Sequence, residues 1–469
     1  MFSRRWGNAV VQQSSGGYVK ISWLHAAAFL ILAPVPASGA EGIVFTDHQQ
    51  SSPQAASNES ADDYAAAASL TPAPAWSGDF GTRSQVTGDW CGRRDALAAS
   101  GLTFYGDLTQ YYQGVAAGGN EQQFKYGWRA DYLIDLDSQK MGLWDGGHLD
   151  LRAESRLGQD TNRIDGTVAL SNFAMALPIP VPSVTALTGV QYTHTVSDGL
   201  SVFAGKLNLL DGTPAAYTRG LRLNYFYNAA MQSNLSRVFL IPSTLGCGFT
   251  VRDEAEPVFN FFLLDTHYTP TTTGFPTLFS NGVLGFGEYR QRTNWFGLPG
   301  HSAIGFLYSN ATRGSLDSNP YVSLPISPGV TLPPIVTKSS AWTVTYRFDQ
   351  VLYADPDDPT RRWSLNGDYG ITDGNPNRNH WFANLSLVGN SPLEGRENDT
   401  IGVGYYHLGL SALPLLEQLG LSAENGVELF YNAAITPWFH VTPDLQILDP
   451  SQRQNAMAIL VGVRARISF

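Results

Sequence analysis

Charged side chains of opposite sign recur at alternate positions in two neighbouring segments. Arg129 and Asp131 stand two residues apart, and a second set follows at the same spacing, namely Asp150, Arg152, Glu154 and Arg156. Alternate residues of a β-strand share one face, so each set would line a single surface. Guanidinium donors opposite carboxylate acceptors can bind a neutral solute rich in hydroxyl groups, helped by an aromatic ring against its C–H side. Each of these residues could equally belong to a solvated wall with no role in selectivity.

Three further basic residues extend the set of candidates. Lys206 lies in the short segment Gly205–Asn208, and Arg219 and Arg222 follow it. They would add positive charge to the same surface. The same alternative applies to them, because a charged face is often no more than a solvated one.

Motifs of catalysis and of metal binding are absent from the sequence. It has no His-Glu-x-x-His, no Gly-x-Ser-x-Gly and no phosphate-binding glycine loop. Its nine histidines are scattered, and its two cysteines, Cys91 and Cys247, lie far apart without metal-site spacing. The two thiols either pair in an oxidising compartment or stay separate. We therefore predict no catalytic residue, no metal, no cofactor and no enzyme activity.

The elements that must position the charged residues have a period of two. Trp128, Ala130 and Tyr132 alternate with Arg129 and Asp131, and residues 342–349 and 439–447 repeat the pattern. A soluble β-sandwich would also alternate, with its apolar face inward. Two features favour the inverted arrangement, with the apolar face toward lipid: aromatic residues cluster at segment ends, and the polar faces carry both signs of charge at high density.

Composition restricts the class of partner. Charged residues make up 15% of the chain and apolar residues 43%, and the formal net charge is -11. An acidic chain without a basic block argues against nucleic acid and leaves neutral or cationic solutes as cargo. Beyond the first forty residues, no apolar run is long enough to predict a helical membrane span.

The beginning of the chain resembles an export signal. Arg4, Arg5 and Lys20 precede a short apolar run, and small residues follow up to Ala40. We predict a signal peptide over 1–40, with an uncleaved anchor as the alternative. Residues 41–87 form a low-complexity leader rich in Ala, Ser, Gln and Pro.

Amphipathic segments then continue to the end of the sequence. The last one alternates from Ile459 to Phe469, which is the usual ending of bacterial outer-membrane barrels, where it closes against the first strand and is recognised by the assembly machinery. We predict an all-β fold, a transmembrane antiparallel β-barrel over 102–469. About sixteen strands are expected, at 102–115, 127–137, 148–157, 200–208, 221–228, 246–252, 258–265, 282–290, 301–310, 340–349, 362–371, 380–388, 399–408, 424–436, 438–447 and 457–469.

The connections between these segments differ in length. The stretches 158–199 and 311–339 are long and are expected to be extracellular or to fold into the barrel, whereas a tight turn at Pro437 fits the periplasmic side. A short periplasmic helix is predicted within 88–101. Asp89 would cap it, Leu97 and Trp90 would form its apolar face, and Gly101 would end it.

Two segments resemble a known family. The sequence GDWCGRRDALAASGL at 88–102 is similar to the opening motif of the OprB-type carbohydrate-selective porins, although Cys91 replaces a glycine of that motif. Residues 426–446 resemble the C-terminal hairpin of the same family. Lys206 stands in a glycine-lysine strand like the family's, with Asn208 where an Asp is expected. The resemblance implies a 16-stranded barrel that takes up sugars by facilitated diffusion.

These observations predict an outer-membrane porin of a Gram-negative bacterium, for passive and carbohydrate-selective diffusion of monosaccharides or small oligosaccharides into the periplasm. The barrel would contact outer-membrane lipid, lipopolysaccharide and the barrel assembly machinery. The first alternative is a general porin, or one that prefers organic acids or cations. An outer-membrane barrel enzyme and a soluble lectin-like β-protein are further alternatives.

Overall fold

A computed structural model describes residues 76–179, 182–209, 223–232, 241–253, 256–317, 324–327, 330–332 and 336–469. Its strands are β1 (Leu102–Ala117), β2 (Phe124–Asp137), β3 (Gly147–Gly158), β4 (Ser183–Ser197), β5 (Leu200–Asn208), β6 (Ser243–Asp253), β7 (Glu256–Asp265), β8 (Val283–Trp295), β9 (Leu298–Ser309), β10 (Arg313–Gly314), β11 (Leu324–Ser327), β12 (Val330–Leu332), β13 (Thr337–Lys338), β14 (Ala341–Ala354), β15 (Arg362–Thr372), β16 (Asn379–Asn390), β17 (Thr400–Leu410), β18 (Glu424–Thr436), β19 (Phe439–Asp449) and β20 (Ala458–Ser468). The short helices are α1 (Arg93–Ala99), α2 (Phe173–Ala176), α3 (Ala229–Gln232) and α4 (Pro414–Gln418), with a 3₁₀ turn at Phe275–Thr277. None of the described helices is long and apolar enough to cross a membrane.

Sixteen of these strands form one closed antiparallel barrel, in the order β1 to β9 followed by β14 to β20. The barrel closes where β1 pairs with β20, with Tyr111 opposite Arg464 and Asp107 opposite Ser468. Closure gives every strand two hydrogen-bonded neighbours and leaves no open edge, which a sheet in lipid requires. The predicted fold class and strand number are confirmed.

The alternating pattern places apolar residues outside and polar residues inside. In β2, Tyr126 and Tyr132 are exposed, whereas Arg129 and Asp131 are each only 1% exposed. Strand β9 repeats this outside with Ile304, Phe306 and Tyr308. A soluble sandwich would have the opposite arrangement, so the predicted inverted orientation is confirmed.

Two details of the predicted strand layout are wrong, and they compensate in the count. Residues 223–228, within the predicted strand 221–228, are irregular and lie inside the barrel, where Phe226 and Tyr227 are buried. Conversely, residues 183–197 lie within the predicted long loop 158–199 but form β4. The register of β4 against β3 shifts between Arg152 and Ala153, so its side chains depart from strict alternation there.

The two rims of the barrel differ. At the rim where β1 begins, connections are short, such as 198–199, 296–297 and 437–438; we call it the short-turn rim. The opposite, long-loop rim carries the connections 159–182, 209–242, 266–282 and 310–340. The last of these contains two small ladders, β10 with β13 and β11 with β12, in agreement with the predicted long stretch 311–339.

Residues 76–101, the rim segment, cross the barrel closure at the short-turn rim. The Val86 N–H donates to Ser468 O (2.8 Å), and Trp438 Nε1 donates to Phe80 O (2.7 Å). Arg94 Nη2 donates both to Phe104 O (2.6 Å) and to Phe469 O (3.0 Å). The segment therefore bonds to strands on both sides of the closure.

The helix of the rim segment is shorter than the predicted one. Trp90, Cys91 and Gly92 have φ of 53°, 61° and 81°, so α1 cannot begin before residue 93. It buries Arg94 and Ala98, not the predicted apolar face of Trp90 and Leu97, which are both exposed. Gly101, with φ of 91°, follows its end as predicted.

Candidate functional site

The inner faces of β2 and β3 bring together five of the predicted site residues. Their register places Arg129 opposite Arg156 and Asp131 opposite Glu154, and Arg152 follows on the same face of β3. We call Arg129, Asp131, Arg152, Glu154 and Arg156 the arginine cluster. Strand alternation alone produces this grouping, because all five belong to one face of one antiparallel pair.

Two guanidinium groups share two carboxylates in this cluster. Arg129 binds Asp131 with two hydrogen bonds, Nε to Oδ2 at 2.8 Å and Nη2 to Oδ1 at 2.7 Å, and its Nη2 lies 3.3 Å from Glu154 Oε1. Arg152 contacts the same acids, Asp131 Oδ1 at 3.3 Å and Glu154 Oε1 at 3.0 Å. Two positive and two negative charges therefore balance locally, which a buried ion network requires.

The arginine cluster also holds a segment of chain inside the barrel. Residues 159–179, which we call the first inward segment, leave β3 and enter the lumen. Arg129 Nη1 donates to the carbonyls of Ala174 and Leu177, and Arg156 Nη1 donates to that of Met175. These carbonyls belong to α2 and the residue after it, so the cluster binds the C-terminal end of this turn.

A second segment meets the first one in the lumen. Residues 223–232, the second inward segment, come from the connection between β5 and β6. The Phe173 N–H donates to Tyr227 O and the Ala229 N–H to Leu170 O, both at 2.8 Å. The two segments are thus joined directly through their backbones.

Apolar contacts fill the space between these segments and the wall. Phe173, Tyr225, Phe226 and Met231 pack in one buried cluster with wall residues Phe382, Val388, Tyr406 and Phe430. The ring of Tyr111 on β1 contacts that of Tyr227 edge-to-face, with centroids 5.7 Å apart. The lumen is therefore narrower than a bare sixteen-stranded barrel, whose width would leave an open aqueous channel.

The remaining predicted site residues have other surroundings. Lys206 Nζ donates to three backbone carbonyls, those of Leu187, Pro270 and Thr272, at 2.7 to 3.0 Å. It thereby fixes the connection 266–282 to the wall. Asp150 lies in β3 opposite Asp135 and is partly buried. Arg219 and Arg222 lie outside the described residues.

Sequence reasoning missed several charged residues of the inner wall. Glu424 and Glu428 on β18 are buried, and both bond to the inward segments. A second ionic group lies on β7, β8, β9 and β14, where His301 Nδ1 lies 2.9 Å from Asp349 Oδ2 and Arg292 Nε lies 2.8 Å from Glu256 Oε2. The alternation of these strands was the available signal, since the acids share the polar face of each predicted segment.

Two aspartates of the first inward segment are enclosed to different degrees, Asp165 fully and Asp160 partly. The Asp165 carboxylate accepts hydrogen bonds from Ser171 Oγ (2.5 Å) and the Thr167 N–H (2.9 Å), and burial raises its pKa to about 6. Burial also raises the pKa of Asp160, opposed by Arg156, whose Nη1 is 3.5 Å away. The segment thus carries one acid, Asp165, whose charge changes under mildly acidic conditions.

Neither the cysteines nor any other metal-binding residues assemble a site in the described part of the chain. Cys91 and Cys247 are exposed free thiols. Among the described residues, no three His, Cys, Asp or Glu side chains are grouped to hold a metal ion. In the described part of the chain, the interior of the barrel offers hydrogen bonds, charge and aromatic rings to a solute.

Comparison with known proteins adds a family match and similar folds. The model of the carbohydrate-selective porin, OprB family matches residues 120–469. The high-pH structure of Pseudomonas putida OprB is 20% identical, with a TM-score of 0.70 over 84% of this chain and 100% of that one. Its low-pH structure is 18% identical over 83% of this chain and 99% of that one, with a TM-score of 0.49. No curated protein matches.

Proposed function

The chain belongs to the carbohydrate-selective porin, OprB family, and on this premise we propose that it is an outer-membrane porin through which small sugars diffuse passively into the periplasm. The family match over residues 120–469 is the observation that carries the proposal. The closed barrel with polar residues inside and apolar residues outside supports it, because this arrangement suits an aqueous channel in lipid.

We assign different roles within the arginine cluster. Arg129 and Arg156 use guanidinium nitrogens on carbonyls of the first inward segment and so support the narrow part of the channel. Arg152 is more exposed, at 12% of its side chain, and with Asp150 it would present donors and acceptors to sugar hydroxyls. Local charge balance favours a neutral, hydrogen-bonding solute over a free ion.

The orientation and surroundings follow from the same premise. The short-turn rim would face the periplasm and the long-loop rim the exterior, as in bacterial porins. The signal peptide proposed for 1–40 would direct export, and the barrel assembly machinery would insert the barrel among lipid and lipopolysaccharide. Sugars, as monosaccharides or small oligosaccharides, are the proposed cargo, and no cofactor is required for passive diffusion.

A second candidate, a cation-preferring or general porin, is favoured by the net charge of -11. Planar-bilayer conductance of the refolded protein separates the two. We expect the current to fall when glucose is added and to be unaffected by succinate. A current indifferent to glucose, together with a reversal potential that follows the cation, would overturn the sugar preference and leave the general porin.

A matched pair of variants sharpens this test. Arg152→Met removes a cluster guanidinium that is proposed to meet the solute, so the glucose block should weaken. Arg453→Met, an exposed residue of the 450–457 connection, should leave the block unchanged. If glucose blocks the two variants equally, Arg152 does not contact the sugar in the channel.

A further inference from the structure

Two carboxylates of β18 each bind a pair of consecutive backbone amides. Glu424 accepts hydrogen bonds from the N–H groups of Val168 and Ala169, the latter at 3.0 Å. Glu428 accepts from those of Tyr227 and Asn228, the latter at 3.0 Å. One acid therefore holds the first inward segment and the other holds the second.

Both carboxylates are fully enclosed. Glu424 is 0% and Glu428 is 1% exposed, so neither can exchange these partners for water. Each carboxyl group meets its two amides with separate oxygens, one amide per oxygen. The four amides in turn need such acceptors, because an irregular backbone inside a barrel has no strand neighbour to satisfy it.

Other wall groups add single bonds to the same segments. Tyr406 Oη donates to Glu424 Oε1 at 2.7 Å and helps to hold that carboxylate. Gln446 Nε2 donates to Ser171 O (2.9 Å), and Asn384 Nδ2 donates to Ala230 O (2.6 Å). The two segments are also bonded to each other, so they form one body supported by this wall.

From this arrangement we infer that Glu424 and Glu428 are positioning residues that set the aperture of the channel. They do not touch the solute; they fix how far the joined inward segments extend across the lumen. The inference rests on the proposed function only in requiring a conducting pore. The two acids that set the aperture do not belong to a solute-binding motif recognised in the sequence.

The isosteric change to glutamine tests the inference. A carboxamide offers one acceptor oxygen and an NH₂ group, so it can satisfy only one of the two amides and opposes the other. We expect Glu424→Gln and Glu428→Gln each to increase open-channel noise, and the double variant to raise single-channel conductance roughly twofold, since conductance follows the narrowest section. Glu417→Gln, on exposed α4, is the control.

The heat-dependent mobility of each variant in gel electrophoresis must first show that its barrel is folded. Unchanged conductance and noise in a folded double variant would overturn the inference. This readout uses ions alone, so it is independent of whether the channel prefers sugars. Loss of glucose block in the parent protein would instead count against the proposed function.

Hydrogen exchange on the unaltered protein covers the case in which the variants do not fold. The amides of residues 168, 169, 227 and 228 should exchange at least tenfold more slowly than those of the exposed residues Glu394 and Asn398, because each is bonded to a buried carboxylate. Equally fast exchange in both places would overturn the inference without any substitution.

Discussion

The arginine cluster on β2 and β3 and Glu424 on β18 hold the first inward segment through opposite hydrogen-bonding roles. Arg129 and Arg156 donate to carbonyls at the end of α2, whereas Glu424 accepts from the amides of Val168 and Ala169. The first inward segment therefore lies between a donor wall and an acceptor wall. Each wall binds the backbone groups that complement its own charge.

The difference between these two walls shows that charged residues at high density inside a barrel can have more than one role. Within the arginine cluster, Asp131 and Glu154 lie between Arg129 and Arg152, and the remaining donors, with those of Arg156, bind the segment. The carboxyl groups of β18 each accept from two backbone N–H groups. Charged residues of the inner wall thus hold the inward segments in place, in addition to any contact with the solute. The alternating sequence pattern alone does not distinguish these two roles.

The largest effect is expected at the centre of the donor wall. Arg129→Met leaves Asp131 and Glu154 with Arg152 as their neighbouring cation, and removing one partner of a buried ion network costs about 3–5 kcal/mol. The free energy of unfolding by urea in detergent would measure it. Arg152→Met, which removes a more exposed partner of the same acids, should cost less; an equal loss in both would contradict the special place of Arg129.

A buried arginine that bonds to backbone oxygens sharpens the comparison. Arg94 donates to Phe104 O and Phe469 O, and its guanidinium lies 4.7 Å from the ring centre of Trp76. Arg94→Gln should lower the free energy of unfolding by about 1–3 kcal/mol, because it loses two backbone oxygen acceptors and a ring contact. The exposed neighbour variant Arg93→Gln should stay within about 0.5 kcal/mol of the parent.

A titration tests the segment between the two walls. Since burial raises the pKa of Asp165 from 3.8 to about 6, the folded segment binds a proton more tightly than the unfolded chain. The stabilisation that protonated Asp165 gives to the folded state is therefore complete below about pH 4. It is lost as the pH rises through about 6. Channel noise should increase from pH 4.5 to pH 7.5.

Asp165→Asn should remove most of this pH dependence, because the amide stays neutral. Asp145→Asn, in the exposed turn 138–146, serves as the control and should keep the parent profile. Since Asp160 and Glu424 are the other acids near this segment, a profile that persists in Asp165→Asn would assign the titration to them.

The smallest effect is expected away from both walls. Cys91 has φ of 61°, a left-handed conformation that costs a non-glycine residue about 1 kcal/mol. Cys91→Gly should therefore raise the free energy of unfolding by up to about 1 kcal/mol, after the greater freedom of glycine in the unfolded chain is subtracted. Gly92→Ala, with φ of 81° and open space at its Cβ, should have the opposite sign.

Sequence alternation predicts the barrel well because it is a local property. The inverted pattern, the barrel strands other than β4, and the grouping of Arg129 with Glu154 follow from a period of two. The inward segments could not be predicted in this way. Tyr225, Phe226 and Tyr227 look like part of a strand, yet all three are buried against the inner wall and its segments.

The partners of the β18 acids were also beyond the sequence. Glu424 bonds to backbone amides 255 and 256 positions away, and backbone amides have no side-chain signature. Strand β4 was missed because the register shift beside it interrupts the alternation. Local patterns therefore define the wall, and long-range backbone contacts define what narrows it.

The rim segment has a consequence for barrel assembly. Its bonds join residues as far apart as Arg94 and Phe469, a separation of 375 positions, so the full set requires the first and last strands to lie side by side. A barrel whose last strand is misplaced would leave Arg94 with its acceptor on β1 but without the one at Phe469. The complete set of rim bonds is therefore a signature of the closed circle.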